Sequence, residues 1–356
     1  MGASAATDEH RGAHHRRYRT RMPRGAPPPA LMCRSTTNSA AGGGDTDVKR
    51  TLRSPGTVGD MTAPLCLLTV HAHPDDEASK GPGTIARYHA EGVRTVLVCC
   101  TGGEEGDILN PALDSPEVRA NLAAVRMGEL AAATSVIGYD EVVMLGYRDS
   151  GMPDTPANAR PDCFARAPLD EAVGRLVAII RHERPQVIVT YGDDQKGYPH
   201  PDHLRVHEIS VIAFDAAADP TLFPDAGEPW TPLKLYYVGW SGARIVAMHE
   251  KFVELGLDSP FDTAWLERAA ANTNEYTTAI DVSDYGDVRR EALLAHCTQV
   301  DPTSPFWFGL PPEVARTVHP VDEYILARSA VGHPADTGAS LVEDDLFAGV
   351  RDLAAR

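Results

Sequence analysis

The sequence lacks any run approaching the roughly 20 apolar residues that a membrane-spanning helix requires, so no such span and no membrane partner are expected. It is poor in positive charge: 33 Lys/Arg stand against 50 Asp/Glu, a formal net charge of −17. Nucleic-acid affinity comes largely from Lys and Arg neutralising phosphates, and with no basic stripe a nucleic-acid partner is excluded. Cysteines are few and scattered. Cys33, Cys66, Cys99, Cys100, Cys163 and Cys297 have the spacing of neither a disulfide framework nor a paired CxxC zinc site. Cys66, Cys99 and Cys100 lie in apolar runs, where a reduced thiol acts as a small hydrophobe. Arg16 and Arg17 form a twin arginine, but no apolar stretch follows them as in a signal peptide. A reducing cytoplasm is the expected compartment. There is no internal repeat.

What is present is ordinary globular material, unevenly distributed. The 356 residues are 43% hydrophobic, enough for one large domain or two. Residues 1–60 hold 10 Lys/Arg and 5 Asp/Glu, which leaves 23 basic and 45 acidic groups, net −22, on the rest. With almost no apolar periodicity, residues 1–60 cannot bury enough surface to offset the entropy of ordering, and a dispensable, disordered extension is expected. Met61, just before the first apolar run, is a plausible start of translation.

From residue 65 onward strand and helix patterns alternate. Strands are expected at 65–71, 94–101, 141–147, 186–191 and 233–240, with helices at 84–91, 116–137, 169–181 and 203–217 between them. Strands separated by helices of this length imply βαβ units, and continuously apolar strands fit a sheet covered on both faces. The expected class is α/β: a Rossmann-like, mostly parallel sheet with helices on both faces and a smaller, mixed C-terminal part. That part has helical patterns at 242–256, 263–272 and 285–297 and a strand at 277–282. Residues 61–330 are expected to form one domain, followed by an acidic tail over 331–356.

The polar residues fall where such a sheet binds ligands, beyond the carboxyl ends of its strands. The first strand is followed by His73-Pro74-Asp75-Asp76-Glu77 and the second by Thr101-Gly102-Gly103-Glu104-Glu105-Gly106. The third is followed by Arg148-Asp149-Ser150-Gly151, and the fourth by a segment ending Tyr198-Pro199-His200-Pro201-Asp202-His203. Pro74-Asp75-Asp76 alone also reads as a turn with a helix N-cap, and His203 and His207, four apart, as surface helix residues. Both segments together, each after a buried strand, point instead to a metal centre, because catalytic Zn²⁺ takes three N/O ligands and leaves one position open. Spacing leaves open which of His71, His73, His200, His203 and His207 bind. An oxygen-rich Mg²⁺ site fits less well than zinc or another late first-row ion.

The runs HAHPDDEASKGPGTIARY, TGGEEGDILNP, RMGEL, YRDSGMP and GYPHPDH, with EDDLFAG in the tail, resemble the LmbE-like (PIG-L) family of zinc-dependent deacetylases over roughly residues 64–350. Within it the resemblance is nearest to the branch that cleaves mycothiol S-conjugates. It implies one Zn²⁺ on His73, Asp76 and His203, with Asp75 as general base. His200 would be the imidazole that assists the carbonyl and leaving amine, Asp202 the carboxylate supporting it, and Tyr198 a mobile tyrosine near the oxyanion. Arg126 and Asp149 match positions that contact the sugar. The implied substrate is a small-molecule thiol conjugate, cut to a mercapturic acid and glucosaminyl-inositol. A related branch instead removes acetate from N-acetylglucosaminyl-inositol, and a non-catalytic sugar-binding protein on the same scaffold is a third reading. Lys80 discriminates, because the deacetylase branch has a small polar residue there. Phe306-Trp307-Phe308 reads either as a pocket for the S-substituent or as core packing. His296 reads either as reaching the rim or as a packed helix end, and Glu104 and Glu105 either as supports of the site or as solvated loop residues.

Overall fold

The computed structural model describes residues 64–193, 198–272, 276–332 and 343–354. The expected N-terminal extension and Met61 lie outside them. Five strands are parallel: β1 Cys66–His71, β2 Arg94–Thr101, β3 Glu141–Tyr147, β4 Val187–Tyr191 and β5 Lys234–Gly239. Two more, β6 Thr278–Asp281 and β7 Val321–Ser329, are antiparallel to their neighbours. The sheet order is β3-β2-β1-β4-β5-β7-β6. The mixed C-terminal part thus extends the same sheet. β7 has no counterpart in the sequence reading, because Asp322 and Glu323 interrupt its apolar pattern. Both are buried and partnered: Asp322 accepts from Thr84 N–H (3.0 Å) and Arg289 (2.5 Å), and Glu323 from Ser241 N–H (3.2 Å).

Alternate residues of the central strands feed two cores, as the pleat requires. Leu68, Val70, Val96, Val98 and Ile188 face one side, packed under helices Leu169–Glu183 and Pro201–Ala216. Leu67, Val187 and Val189 face the other, covered by helices Pro82–Ala90, Leu122–Ile137 and Val288–Ala295. The helix expected over 116–137 is two helices, Pro116–Ala120 and Leu122–Ile137. They break at Asn121, whose side-chain amide donates to Glu117 O at 2.9 Å and competes with the helical ladder. Among the described residues no helix is long and apolar enough to cross a membrane.

The chain end closes the sheet. Leu346, Phe347 and Val350 are core residues, and Glu343 is buried against Lys234 (2.6 Å), Tyr236 Oη (2.7 Å) and Thr278 Oγ1 (3.1 Å). Lys234 is wholly buried, so removing its carboxylate strands a charge, at a cost of about 3–5 kcal/mol. Glu343→Ala should therefore lower the free energy of unfolding in urea by that amount, whereas Lys234→Met combined with Glu343→Leu should recover most of it. A single substitution that is neutral would show that Lys234 finds water or another partner.

Candidate active site

With strands in the order 3-2-1-4-5, the chain moves outward from β1 in one direction and then restarts on its other side at β4. That reversal opens a crevice at the carboxyl ends of β1 and β4. The two histidine-rich segments follow these strands, and the loops after β2 and β3 close the sides. They surround a cleft of about 400 Å³ lined by His73, Asp75, Asp76, Lys80, Arg126, Asp149, Tyr198, His200 and His203, with Trp307 on its wall. Of the ten residues given a metal, catalytic or substrate role from the resemblance, only Asp202 does not line it; it is wholly buried beneath.

His73, Asp76 and His203 present one ligand atom each within 4.8 Å of one another and could hold a metal ion. His73 Nδ1 and His203 Nε2 lie 3.5 Å from the two Asp76 carboxylate oxygens. His203 Nε2 is buried and has no hydrogen-bond partner among the described residues, and a metal ion would satisfy it. A second group, His73, Asp149, His200 and Asp202, is as close together. There the atoms partner each other: His73 Nε2 donates to Asp202 Oδ2 at 3.2 Å and stands 3.6 Å from Asp149 Oδ1. This is the arrangement in which a ligating imidazole is oriented by a carboxylate on its other nitrogen. Burial alone would lower the His73 pKa, but the hydrogen bonds to Asp149, Asp202 and Asp76 hold it well above the usual histidine range.

Lys80 is drawn into the same cluster. Its ammonium lies 2.5 Å from Asp76 Oδ1 and 5.5 Å above the Tyr191 ring. Burial would raise the Asp76 carboxyl, yet Lys80 and His203 hold it well below the usual range. A metal ion on Asp76 would compete with Lys80 for that oxygen.

Asp75 faces the cleft because its backbone is left-handed, φ 114° and ψ −23°, so that it and Asp76 diverge. Arg126 braces it, donating to its Oδ2 at 2.9 Å, to Pro74 O and to Gly103 O (2.6 Å). A side chain at Gly103 would place Cβ 2.2 Å from the guanidinium, so this approach requires glycine. Burial pushes the Asp75 carboxyl up against the opposing pull of Arg126. Arg126, expected at the sugar, has its guanidinium engaged mainly with this loop.

His200 is the N-cap of helix Pro201–Ala216, with Pro201 in the first position, a start signal two residues ahead of the expected boundary. Its Nδ1 accepts from Asp202 N–H at 3.2 Å, which leaves Nε2 to carry the proton. Asp202 was expected to support His200 through its carboxylate. That carboxylate instead accepts from His73, from Ser150 N–H (2.9 Å) and from the Ser150 hydroxyl. Ser150 thus enters the site unannounced by the sequence. Burial and neighbouring His73 lower the His200 pKa to about 4, so the imidazole stands neutral, not charged. Tyr198, 52% exposed, stacks on His200 with ring centroids 5.8 Å apart.

The remaining candidates divide. Glu104 accepts from Asp149 N–H at 2.9 Å and Glu105 N–H donates to Asp149 Oδ2 at 3.3 Å, so both brace Asp149. Of the aromatic triplet, Trp307 alone lines the cleft; Phe306 packs on Trp240, and Phe308 joins the core beneath. His296 is wholly buried against Glu77 and does not reach the cleft.

The model of the GlcNAc-PI de-N-acetylase (PIG-L) family matches residues 68–214. The chain is 44% identical to the mycothiol S-conjugate amidase of Streptomyces coelicolor over 303 residues, 83% of this chain and 100% of that protein. It is 41% identical to the 1D-myo-inositol 2-acetamido-2-deoxy-alpha-D-glucopyranoside deacetylase of Streptomyces avermitilis over 297 residues, 80% of this chain and 97% of that one. Among solved structures, the N,N'-diacetylchitobiose deacetylase of Pyrococcus horikoshii superposes with a TM-score of 0.51 at 16% identity, over 76% of this chain and 86% of that chain, a likeness of fold alone. The HPDD and HPDH segments, whose His and Asp side chains could hold a metal ion, lie within the matched region, and the chain belongs to the PIG-L (LmbE-like) family of amide-hydrolysing enzymes.

Proposed function

We propose that the protein is a zinc-dependent amidohydrolase that cleaves mycothiol S-conjugates to a mercapturic acid and glucosaminyl-inositol. The observation that carries the chemistry is the unpartnered His203 Nε2, aimed at Asp76 beside His73 and opening on the same cleft as Asp75 and His200. His73, Asp76 and His203 would hold the ion. Bound Zn²⁺ supplies a polarised carbonyl and a water whose pKa falls to about 7.

The chain's own residues do the rest. Asp75, held by Arg126 and raised in basicity by burial, takes the proton of the attacking water. His200, neutral with its proton on Nε2, donates a hydrogen bond to the developing oxyanion, and the proton that Asp75 took from the water passes to the departing amine as the C–N bond breaks. Tyr198 beside it closes the exposed side of the oxyanion. Asp202 keeps both imidazoles in place, His73 through its carboxylate and His200 through its N–H.

The cysteinyl arm of the conjugate, absent from the simple acetamide, favours the amidase reading through Lys80, an ammonium on the cleft floor beside the metal cluster. Removal of acetate from N-acetylglucosaminyl-inositol is the competing activity, and the two are separable by experiment.

Three measurements test this reading. His203→Ala should lose stoichiometric zinc, measured by mass spectrometry of the metal, together with activity; full occupancy would assign the site to other histidines. Asp75→Asn should keep the metal and lose about 10²–10⁴-fold in kcat, and a near wild-type rate would remove Asp75 from the mechanism. For specificity, kcat/KM is compared for a bimane-labelled mycothiol conjugate and for N-acetylglucosaminyl-inositol. Lys80→Ser should lower the first by roughly 10- to 150-fold, the worth of a desolvated hydrogen bond to a charged group, and spare the second. A wild type that prefers the acetamide, or an unchanged ratio in the variant, would return the assignment to the deacetylase branch.

A further inference from the structure

Behind the cleft floor two ionisable side chains meet where no substrate reaches. His296 Nε2 lies 2.6 Å from Glu77 Oε1, and neither side chain has any exposure. Burial alone would lower the His296 pKa and raise that of Glu77, but each holds the other in its charged form. An ion pair buried this deeply brings little net stability, because desolvation of the two charges offsets their attraction.

The second Glu77 oxygen shows what the pair is for. Oε2 accepts from Asp75 N–H at 2.9 Å. Asp75 is held at φ 114°, where a non-glycine residue persists only if its surroundings over-determine it. Its carbonyl accepts from Ala78 and Ser79 N–H at 3.1 and 3.2 Å, and its carboxylate from Arg126. Glu77 supplies the bond to its N–H. The backbone that carries the imidazole is also fixed. His296 ends helix Val288–Ala295, and its carbonyl accepts from Gln299 and Val300 N–H at 3.0 Å each. Thr298, two residues on, donates through N–H and hydroxyl to Glu129 at 2.7 and 2.8 Å.

We infer that Glu77 and His296 are positioning residues for Asp75: His296 fixes the Glu77 carboxylate, which grips the Asp75 N–H and holds the left-handed turn that aims Asp75 into the cleft while Asp76 faces the metal. The inference rests on the proposed role of Asp75 as base. It assigns work to a helix end far along the chain that never meets substrate.

The test is a double-mutant cycle with metal content, melting temperature and both kinetic constants as readouts. The probes are the bimane-labelled conjugate and N-acetylglucosaminyl-inositol, whichever is turned over. Glu77→Gln keeps the side-chain shape but replaces one oxygen by a donor. It should keep its zinc and lower kcat about 10- to 100-fold at nearly unchanged KM, the usual effect of misplacing a catalytic group by about 1 Å. His296→Gln, which retains a donor toward Glu77, should lose less than His296→Ala. The decisive arm places Glu77→Gln in the Asp75→Asn background, where it should cost less than twofold because the group it positions is gone. An equal loss in both backgrounds would overturn the inference. So would a loss that tracks metal content, failure of both Glu77→Gln and His296→Gln to fold, or an unaffected rate. A fully active Asp75→Asn would instead bring down the mechanistic reading first, and this inference with it.

Discussion

The site is governed by the cost of burying carboxylates. Asp76, Asp149 and Asp202 all converge on His73, and each is at least 95% shielded from solvent. Desolvated anions so close are tolerable only beside positive charge and donors. Segments at the carboxyl rim of the sheet supply these: Lys80 after β1 for Asp76, the Glu105 N–H after β2 for Asp149, and Ser150 after β3 for Asp202. A metal ion held there would complete the same compensation, satisfying His203 Nε2, which has no hydrogen-bond partner among the described residues, and competing with Lys80 for its carboxylate oxygen.

The fold serves this arrangement by reversing direction at one place. β1 and β4 are parallel neighbours although 120 residues separate Cys66 from Gln186 at their start, where Gln186 Oε1 accepts from Cys66 N–H. The HPDD and HPDH segments therefore leave the sheet side by side. Two hydrophobic layers hold the strands in register and so fix where these segments begin.

Much of this was legible in the sequence, for definable reasons. β2 and β3 begin and end where expected because charged residues or turns bound their apolar runs. The ligand candidates were legible because imidazole and carboxylate immediately after a buried strand have few uses other than metal or chemistry. What escaped were contacts between distant segments. Nothing near Glu77 points to His296, 219 residues away. Nothing around Asp202 reveals that Ser150 takes its carboxylate, so that His200 receives the backbone N–H instead. β7 escaped because its acidic residues look like a loop until Thr84, Arg289 and Ser241 are seen to partner them.

The carboxylate that neutralises Lys234 is made 109 residues after it. At about 5–20 residues per second of synthesis, the lysine emerges from the ribosome some 5–20 seconds before Glu343 does. During that interval β5 cannot settle into its final place without burying a lone ammonium. β1 and β4, which the His73 and His203 segments follow, are by then complete, but the edge of their sheet stays open. Closure of that edge depends on Glu343, Leu346, Phe347 and Val350, which reach it from 109 or more residues further along the chain than Lys234.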